Sequence, residues 1–418
     1  MKKVLALVLA CVMVFGLAAC GGNTPANNTP SNNSGNTTPA PTVYNVGMIC
    51  IGNQNMAYDR NFFMAEEAAK AQLAAKGINV NWINTYDHPE GDPKVADDCK
   101  ELAGEQKCIA VFLNSYGMEP AMLEVAADYP NTVFVGMTNE GSYKDTLKNT
   151  VNAFPSIYEA RYLAGVAAGC KLNELIEKKV ITADQAKIGY VGAFPYSEVI
   201  SGFTAFFLGA RSVCPSVTMK VEYINSWGDT ELEATAAQHL IDGGAVLISQ
   251  HSDSTSPATT AAKNKIKGSD LPVYHVGYNI SMINEAPDSS IISSRIDWTN
   301  YLVYVIETLV AGKEVDQDYI GHGLKDGDVC LTDLNTKVAA AGTAEAIKKA
   351  EDDIKSGKLQ VFDTSKFTVE GAELKNAWAL DTNGDWVPDS KEAVFEGAYH
   401  ESYFQSAPYF GIIIDGIN

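Results

Sequence analysis

In six places a short apolar run is followed directly by amide, hydroxyl, carboxylate or aromatic residues. Asn55 and Tyr58 follow residues 44–52, and Asn114, Ser115 and Tyr116 follow residues 108–113. Phe194 and Tyr196 follow 187–193, and Gln250, His251, Ser252 and Asp253 follow 245–249. Tyr278 and Asn279 close the run at 273–277, and Asp297 and Trp298 close that at 291–296. These residue types bind rather than react. An aromatic ring stacks on a flat ligand, and an amide reads its edge with paired donor and acceptor bonds. Taken singly, each stretch is explained by the turn chemistry of Asn and Ser. Recurring behind run after run, they suggest one shared ligand cleft.

Catalytic patterns are missing. The chain has no phosphate-binding Gly-rich loop, no GxSxG elbow and no HExxH. Its six histidines are scattered, without metal-ligand spacing. Adjacent acids such as Glu66-Glu67 and Asp97-Asp98 fall inside helical patterns and read as solvated faces. The expectation is a binding protein, not an enzyme, with no cofactor and no metal.

The apolar runs are strands, and amphipathic stretches alternate with them. Strands are predicted at 44–52, 79–86, 108–114 and 132–138, with helices at 61–76, 93–105 and 119–128. The theme then restarts with a helix at 158–172. Strands at 187–194, 219–227, 245–250, 273–279 and 291–296 alternate with helices at 198–213, 231–241 and 257–267, and a helix at 301–311 closes the set. Such alternation predicts an α/β fold of parallel sheets covered on both faces. Two βαβ sets predict two Rossmann-like lobes, with the ligand between them at the strands' carboxyl ends. Lobe 1 is assigned residues 43–153 with 280–322, and lobe 2 residues 154–279 with 323–418.

The chain has 418 residues, net charge −20 and a 46% hydrophobic fraction, enough for a sizeable core. The acidic balance argues against nucleic acid and against a basic membrane-binding patch. Lys2 and Lys3 precede a mostly apolar run to Leu17, which reads as a secretory signal (residues 1–20). Leu17-Ala18-Ala19-Cys20 resembles a bacterial lipobox, which implies lipidation at Cys20. Residues 21–42 hold only small or polar residues and proline, and read as a disordered tether. The expected location is the cell surface, with the membrane reached through the lipid alone. Six further cysteines (Cys50, Cys99, Cys108, Cys170, Cys214 and Cys330) form no CxxC pair and assign no disulfide.

Beyond Gly323 the pattern loosens, with a predicted helix at 343–356. Asp381, Asn383, Asp385, Asp389 and Glu392 have calcium-loop spacing, but Trp386 stands where such a loop needs glycine. A β-hairpin turn with Asn383-Gly384 at its tip is the preferred reading.

Together the runs Ile157-Tyr-Glu-Ala-Arg-Tyr-Leu-Ala-Gly165, Lys187-Ile-Gly-Tyr-Val-Gly-Ala-Phe-Pro195, Asn225-Ser-Trp227, Ser249-Gln-His-Ser-Asp-Ser254 and Val276-Gly-Tyr-Asn279 resemble the basic membrane protein family, also called purine nucleoside receptor A-like. The resemblance implies a type I periplasmic-binding-protein fold. It also implies the role of lipoprotein receptor for an ABC importer, with a membrane permease as partner and a purine nucleoside or base as cargo. It puts Tyr58 in the place of the aromatic residue that stacks on the base, with Asn55 replacing the family's acid. Gly277-Tyr278-Asn279 stands where nucleoside binders carry Gly-Val-Asp, and Trp298 resembles the base-binding subgroup. The implied site therefore comprises Asn55, Tyr58, Asn114, Tyr116, Phe194, Gln250, Asp253, Tyr278, Asn279, Asp297 and Trp298. A monomer is expected. A receptor of the same fold for a sugar or furanose signal is the alternative.

Overall fold

A computed structural model describes residues 42–139, 147–380 and 387–418. The signal, the lipidation site Cys20, the tether and the tip of the 381–392 turn lie outside the described residues.

The first half runs β1 (Val43–Ile49), α1 (Ala57–Ala75), β2 (Asn79–Thr85), α2 (Lys94–Gly104), β3 (Ala110–Leu113), α3 (Glu119–Ala126), β4 (Val133–Met137) and β5 (Thr150–Ala153). The second half runs α4 (Ile157–Glu177), β6 (Lys187–Gly192), α5 (Ser197–Val213), β7 (Thr218–Tyr223), α6 (Thr230–Asp242), β8 (Leu247–His251), α7 (Ser256–Lys263), β9 (Tyr274–Tyr278), β10 (Ser290–Ile296), α8 (Thr299–Val310), β11 (Val329–Leu331) and α9 (Thr343–Lys355). The strands form a five-stranded sheet ordered β2-β1-β3-β4-β5 and a six-stranded sheet ordered β11-β10-β9-β8-β6-β7. Within these two sheets all pairings are parallel except β10 with β11. Strands such as Ala110–Leu113 and Leu247–His251 are buried throughout, because helices cover both faces of each sheet. This is the α/β architecture that the alternation predicts.

One boundary differs from the expectation. Residues 290–296 were assigned to lobe 1, yet β10 pairs with β9 in the second sheet. The crossover comes after it, so α8 packs against α1 of the first lobe. β10, although four of its seven residues are Ser or Arg, is buried at every position but Arg295 and completes the second sheet beside β9. At the seam, Asn152 at the end of β5 exchanges backbone bonds with Gln317 and Tyr319, at 2.9 and 3.0 Å.

Helices α4 and α5 meet almost backbone to backbone. A Cβ on Gly165 would lie 1.9 Å from the Phe206 carbonyl oxygen, and one on Gly209 would lie 2.0 Å from that of Tyr162. The small residues of Ile157–Glu177 are therefore there for close approach. Arg161 of the same helix is 1% exposed.

The tail after β11 wraps the second lobe. Phe362, Phe410 and Tyr399 pack as an aromatic cluster, with Phe362 and Phe410 stacked at 4.5 Å. Ser406 donates its backbone N–H to the Asp318 carboxylate and accepts from the Asn152 amide. Ile417 and Asn418 lie along β7, with Asn418 accepting from the Val221 N–H at 2.8 Å. The segments flanking 381–386 pair antiparallel, Trp378 opposite Glu392, about three residues beyond the register that a turn with Asn383-Gly384 at its tip would set. All six cysteines of the described residues are free thiols.

Candidate functional site

The ends of eight strands converge on one space between the sheets. Ile51 follows β1, Ser115 and Tyr116 follow β3, Thr138 follows β4 and Phe154 follows β5. From the second sheet come Glu198 beyond β6, Trp227 beyond β7, His251 and Asp253 at β8, and Tyr278 at the end of β9. Tyr58 enters from the first turn of α1, four residues earlier than the predicted helix start. The cavity these side chains leave between them is only about 20 Å3. The walls therefore stand close, as a slot rather than a bowl.

Rings from both lobes form those walls. Tyr116 lies 5.6 Å from Tyr196, which stacks on Phe194 at 5.0 Å and 10°. Trp227 packs edge-on to Phe194 at 5.2 Å. The Tyr58 hydroxyl donates to the Asn114 carbonyl at 2.5 Å, which fixes its ring. On the opposite wall the Arg161 guanidinium carbon lies 3.5 Å over the Tyr278 ring, a buried cation–π contact. Arg161 also donates to the Gln250 carbonyl at 2.8 Å. This cation thus backs the wall rather than opening into the slot.

The polar groups of the slot are acceptor-rich. Asp253 is 5% exposed, and burial pushes its carboxyl well above the ordinary range. The carboxylates of Glu233, Asp59, Glu198 and Glu90 push it further. Burial raises Asp59 to about 6, against the stabilising amide of Asn114 and the Gly52 N–H. Burial, and then Arg161, holds His251 well below its usual value, so its ring is neutral. Its Nε2 lies 3.4 Å from the Glu198 carboxylate. A slot with several carboxylates and a turned-away cation suits a ligand that donates hydrogen bonds, and disfavours an anion.

The lobes are drawn together at this place. The Asp253 carbonyl accepts the Ala57 N–H at 2.9 Å, across the cleft. Helix α1 has no side-chain cap, so the other lobe supplies a bond at its start.

Four of the predicted residues line the slot: Tyr58, Tyr116, Asp253 and Tyr278. Phe194 stands one layer back, in an adjoining space of about 350 Å3 with Asp59 and Glu90. Asn114 is fully buried and spends its amide on Ile51 N–H and Asp59. Gln250 is likewise consumed, donating to the carbonyls of Ser252 and Ser254 and accepting from His275. Both amides shape loops instead of reading a ligand. Asn279 sits at φ 67° behind the slot, its side-chain NH2 buried without a partner. Asn55 is exposed on the outer face of lobe 1. Asp297 accepts from Arg295 and from the Thr299 N–H at the start of α8. Trp298 is 1% exposed and stacks on Phe62 in the core. Composition gave no separate signal for Phe154, Thr138 or Glu198, whose residue types are ordinary beside strands.

The sequence profile described as "ABC transporter substrate-binding protein PnrA-like" matches residues 92–364, more than half of the chain. The chain belongs to the PnrA-like family. Members of this family are substrate-binding components of ABC transporters, not enzymes, and act outside the cytoplasm with a small-molecule ligand and a membrane permease. A protein of Haloferax volcanii, provisionally named an ABC transporter glucose-binding protein, is 32% identical over 294 residues, 70% of this chain and 69% of its own. A purine-binding protein of Brucella abortus is 31% identical over 278 residues, 65% of this chain and 73% of its own. The fold is also that of an ABC transporter solute-binding protein from Aeropyrum pernix (TM-score 0.60, 15% identity, 76% of this chain and 93% of that one). No helix of the described residues is long and apolar enough to cross a membrane.

Proposed function

We propose that the protein captures a purine base or purine nucleoside in the slot and delivers it to the permease. The observation that carries this reading is the slot itself. Its aromatic walls come from both lobes, Tyr58 and Tyr116 facing Trp227 and Tyr278, with the Asp253 and Glu198 carboxylates among them. A flat heteroaromatic ring fills such a space by stacking. The exocyclic amine and ring N–H of a purine such as adenine are donors that a carboxylate accepts. The purine-binding relative from Brucella supports the same cargo. Binding favours the closed arrangement because the ligand touches both walls only there. Lipidation at Cys20 and the tether of residues 21–42 would hold the globule close to the permease.

The Haloferax relative favours a second reading, a sugar in the same slot, since aromatic rings also stack on sugar faces. A thermal-unfolding screen of the refolded protein against purine bases, nucleosides, pyrimidines and hexoses separates the two. A ligand at a hundred times its dissociation constant adds about 2.7 kcal/mol of stability. A shift with adenine or adenosine and none with glucose is the expected result. A shift with hexoses alone would replace the purine reading by the sugar one.

A further inference from the structure

Among the residues lining the slot, Thr138 alone has a left-handed backbone, at φ 69°. A β-branched residue is rare in that region, because its Cβ crowds the backbone carbonyl. Asn279 makes the same turn at the end of β9, at φ 67°, but asparagine tolerates it. Threonine at this place needs an outside hold, and the hold is Asn152 of β5. The Thr138 N–H donates to the Ala153 carbonyl at 2.9 Å, and the Asn139 N–H to Asn152 Oδ1 at 3.1 Å. The peptides on both sides of Thr138 are thereby fixed. Every other polar group of Asn152 is engaged as well. Its backbone bonds Gln317 and Tyr319, and its Nδ2 donates to the Ser406 hydroxyl oxygen at 3.0 Å. A side-chain amide is planar, so the partner of its NH2 settles where its oxygen points. Ser406 is buried and fixed in turn by its N–H, which donates to the Asp318 carboxylate at 3.2 and 3.1 Å. It stands in the tail, past the residues 92–364 that the family profile matches.

We propose that Ser406 is a positioning residue for the slot. Through the Asn152 amide it holds Thr138 in the left-handed turn, and so keeps the Thr138 side chain in the wall that meets the ligand. Strain of this kind persists only where the surroundings over-determine it, and it gathers at binding sites. The tail thus serves binding, although none of its residues lines the slot. The inference rests on the slot being the ligand site but not on which ligand enters it.

Ser406→Ala removes the hydroxyl and keeps the backbone bond to Asp318. Two readouts are needed: hydrogen exchange of the Asn139 amide in the ligand-free protein, followed by NMR, and affinity for the ligand found in the thermal screen. Exchange is expected to quicken and affinity to fall, each roughly fivefold, the size of one neutral hydrogen bond. Thr138→Gly adopts the turn without strain and lacks the side chain. It should weaken the ligand by itself, and adding Ser406→Ala should then weaken it no further. A Ser406 that served packing alone would lower Tm equally in both backgrounds and leave exchange at Asn139 unchanged. Unchanged exchange in Ser406→Ala, unchanged affinity, or losses that multiply in the double variant would each overturn the proposal. If nothing in the panel binds the wild type, the purine reading fails by itself. Exchange alone then decides: a faster Asn139 amide in Ser406→Ala supports the hold, and a wild-type rate removes it.

Discussion

Trp298 and Phe62 stack with ring centroids 5.2 Å apart and planes 19° from parallel, which commits the indole to the protein's own core. Tyr301 meets its edge at 6.3 Å. The residue stands where the chain leaves β10 for α8, so it packs at the junction of the lobes. Trp298→Ala is expected to cost about 3–5 kcal/mol of stability, as large aromatic truncations do. Trp298→Phe should leave ligand affinity within a factor of about two while lowering Tm. Calorimetric unfolding together with titration of ligand checks both. A large affinity loss with unchanged Tm would move Trp298 back into the site.

The walls make the opposite expectation. Tyr58→Ala and Tyr116→Ala each remove a ring from the slot, and stacking on a base is worth about 1–3 kcal/mol. Affinity for a purine should therefore fall roughly tenfold to a hundredfold. Tyr58→Phe keeps the ring and loses only the bond to the Asn114 carbonyl, so most of the affinity should remain. Isothermal titration of the three variants gives the ranking.

Asp253 sits among other carboxylates, and its charge is unfavourable there until a donor arrives. Asp253→Asn is expected to raise the Tm of the ligand-free protein and to weaken the ligand at least about tenfold, the loss of one charged acceptor. Opposite signs in the two measurements are the signature of a residue kept for binding at the expense of stability. A fall in both would mark Asp253 as structural.

Stability should depend on pH in a set direction. Burial raises Asp59 to about 6, and Glu66, Glu233 and Glu401 to about 7. Each binds its proton more tightly folded than unfolded. Their stabilisation is complete below the unfolded values near 4 and is lost as pH rises through 6 to 7. Tm of the ligand-free protein is expected to fall between pH 5 and pH 7.5, measured at fixed salt. A Tm that rises over this range would overturn the assignment.

Much of the architecture is legible in the sequence because most buried strands carry an apolar run and most helices have an apolar face. The helix read as 231–241 is α6 at Thr230–Asp242, and the strand read as 245–250 is β8 at Leu247–His251. The lobe of β10 is not legible, since a short strand with both Ile and Ser fits either sheet and only the crossover decides. The cleft is legible at the level of loops: five of the six loops rich in polar or aromatic residues, those after β1, β3, β6, β8 and β9, belong to strands that line it. Individual roles are harder. Asn114 and Trp298 have the residue types of ligand contacts, and the fold spends them on Asp59 and Phe62.

The lie of Ile417 and Asn418 along β7 has a practical reach. β7 is the outermost strand of its sheet, and a bare rim of that kind recruits strands from other molecules. The final residues act as a selvedge that keeps the weave from catching. Trimming the last three residues should leave the slot intact and make the protein self-associate as concentration rises, a failure that would show in size-exclusion chromatography before it showed in any binding curve.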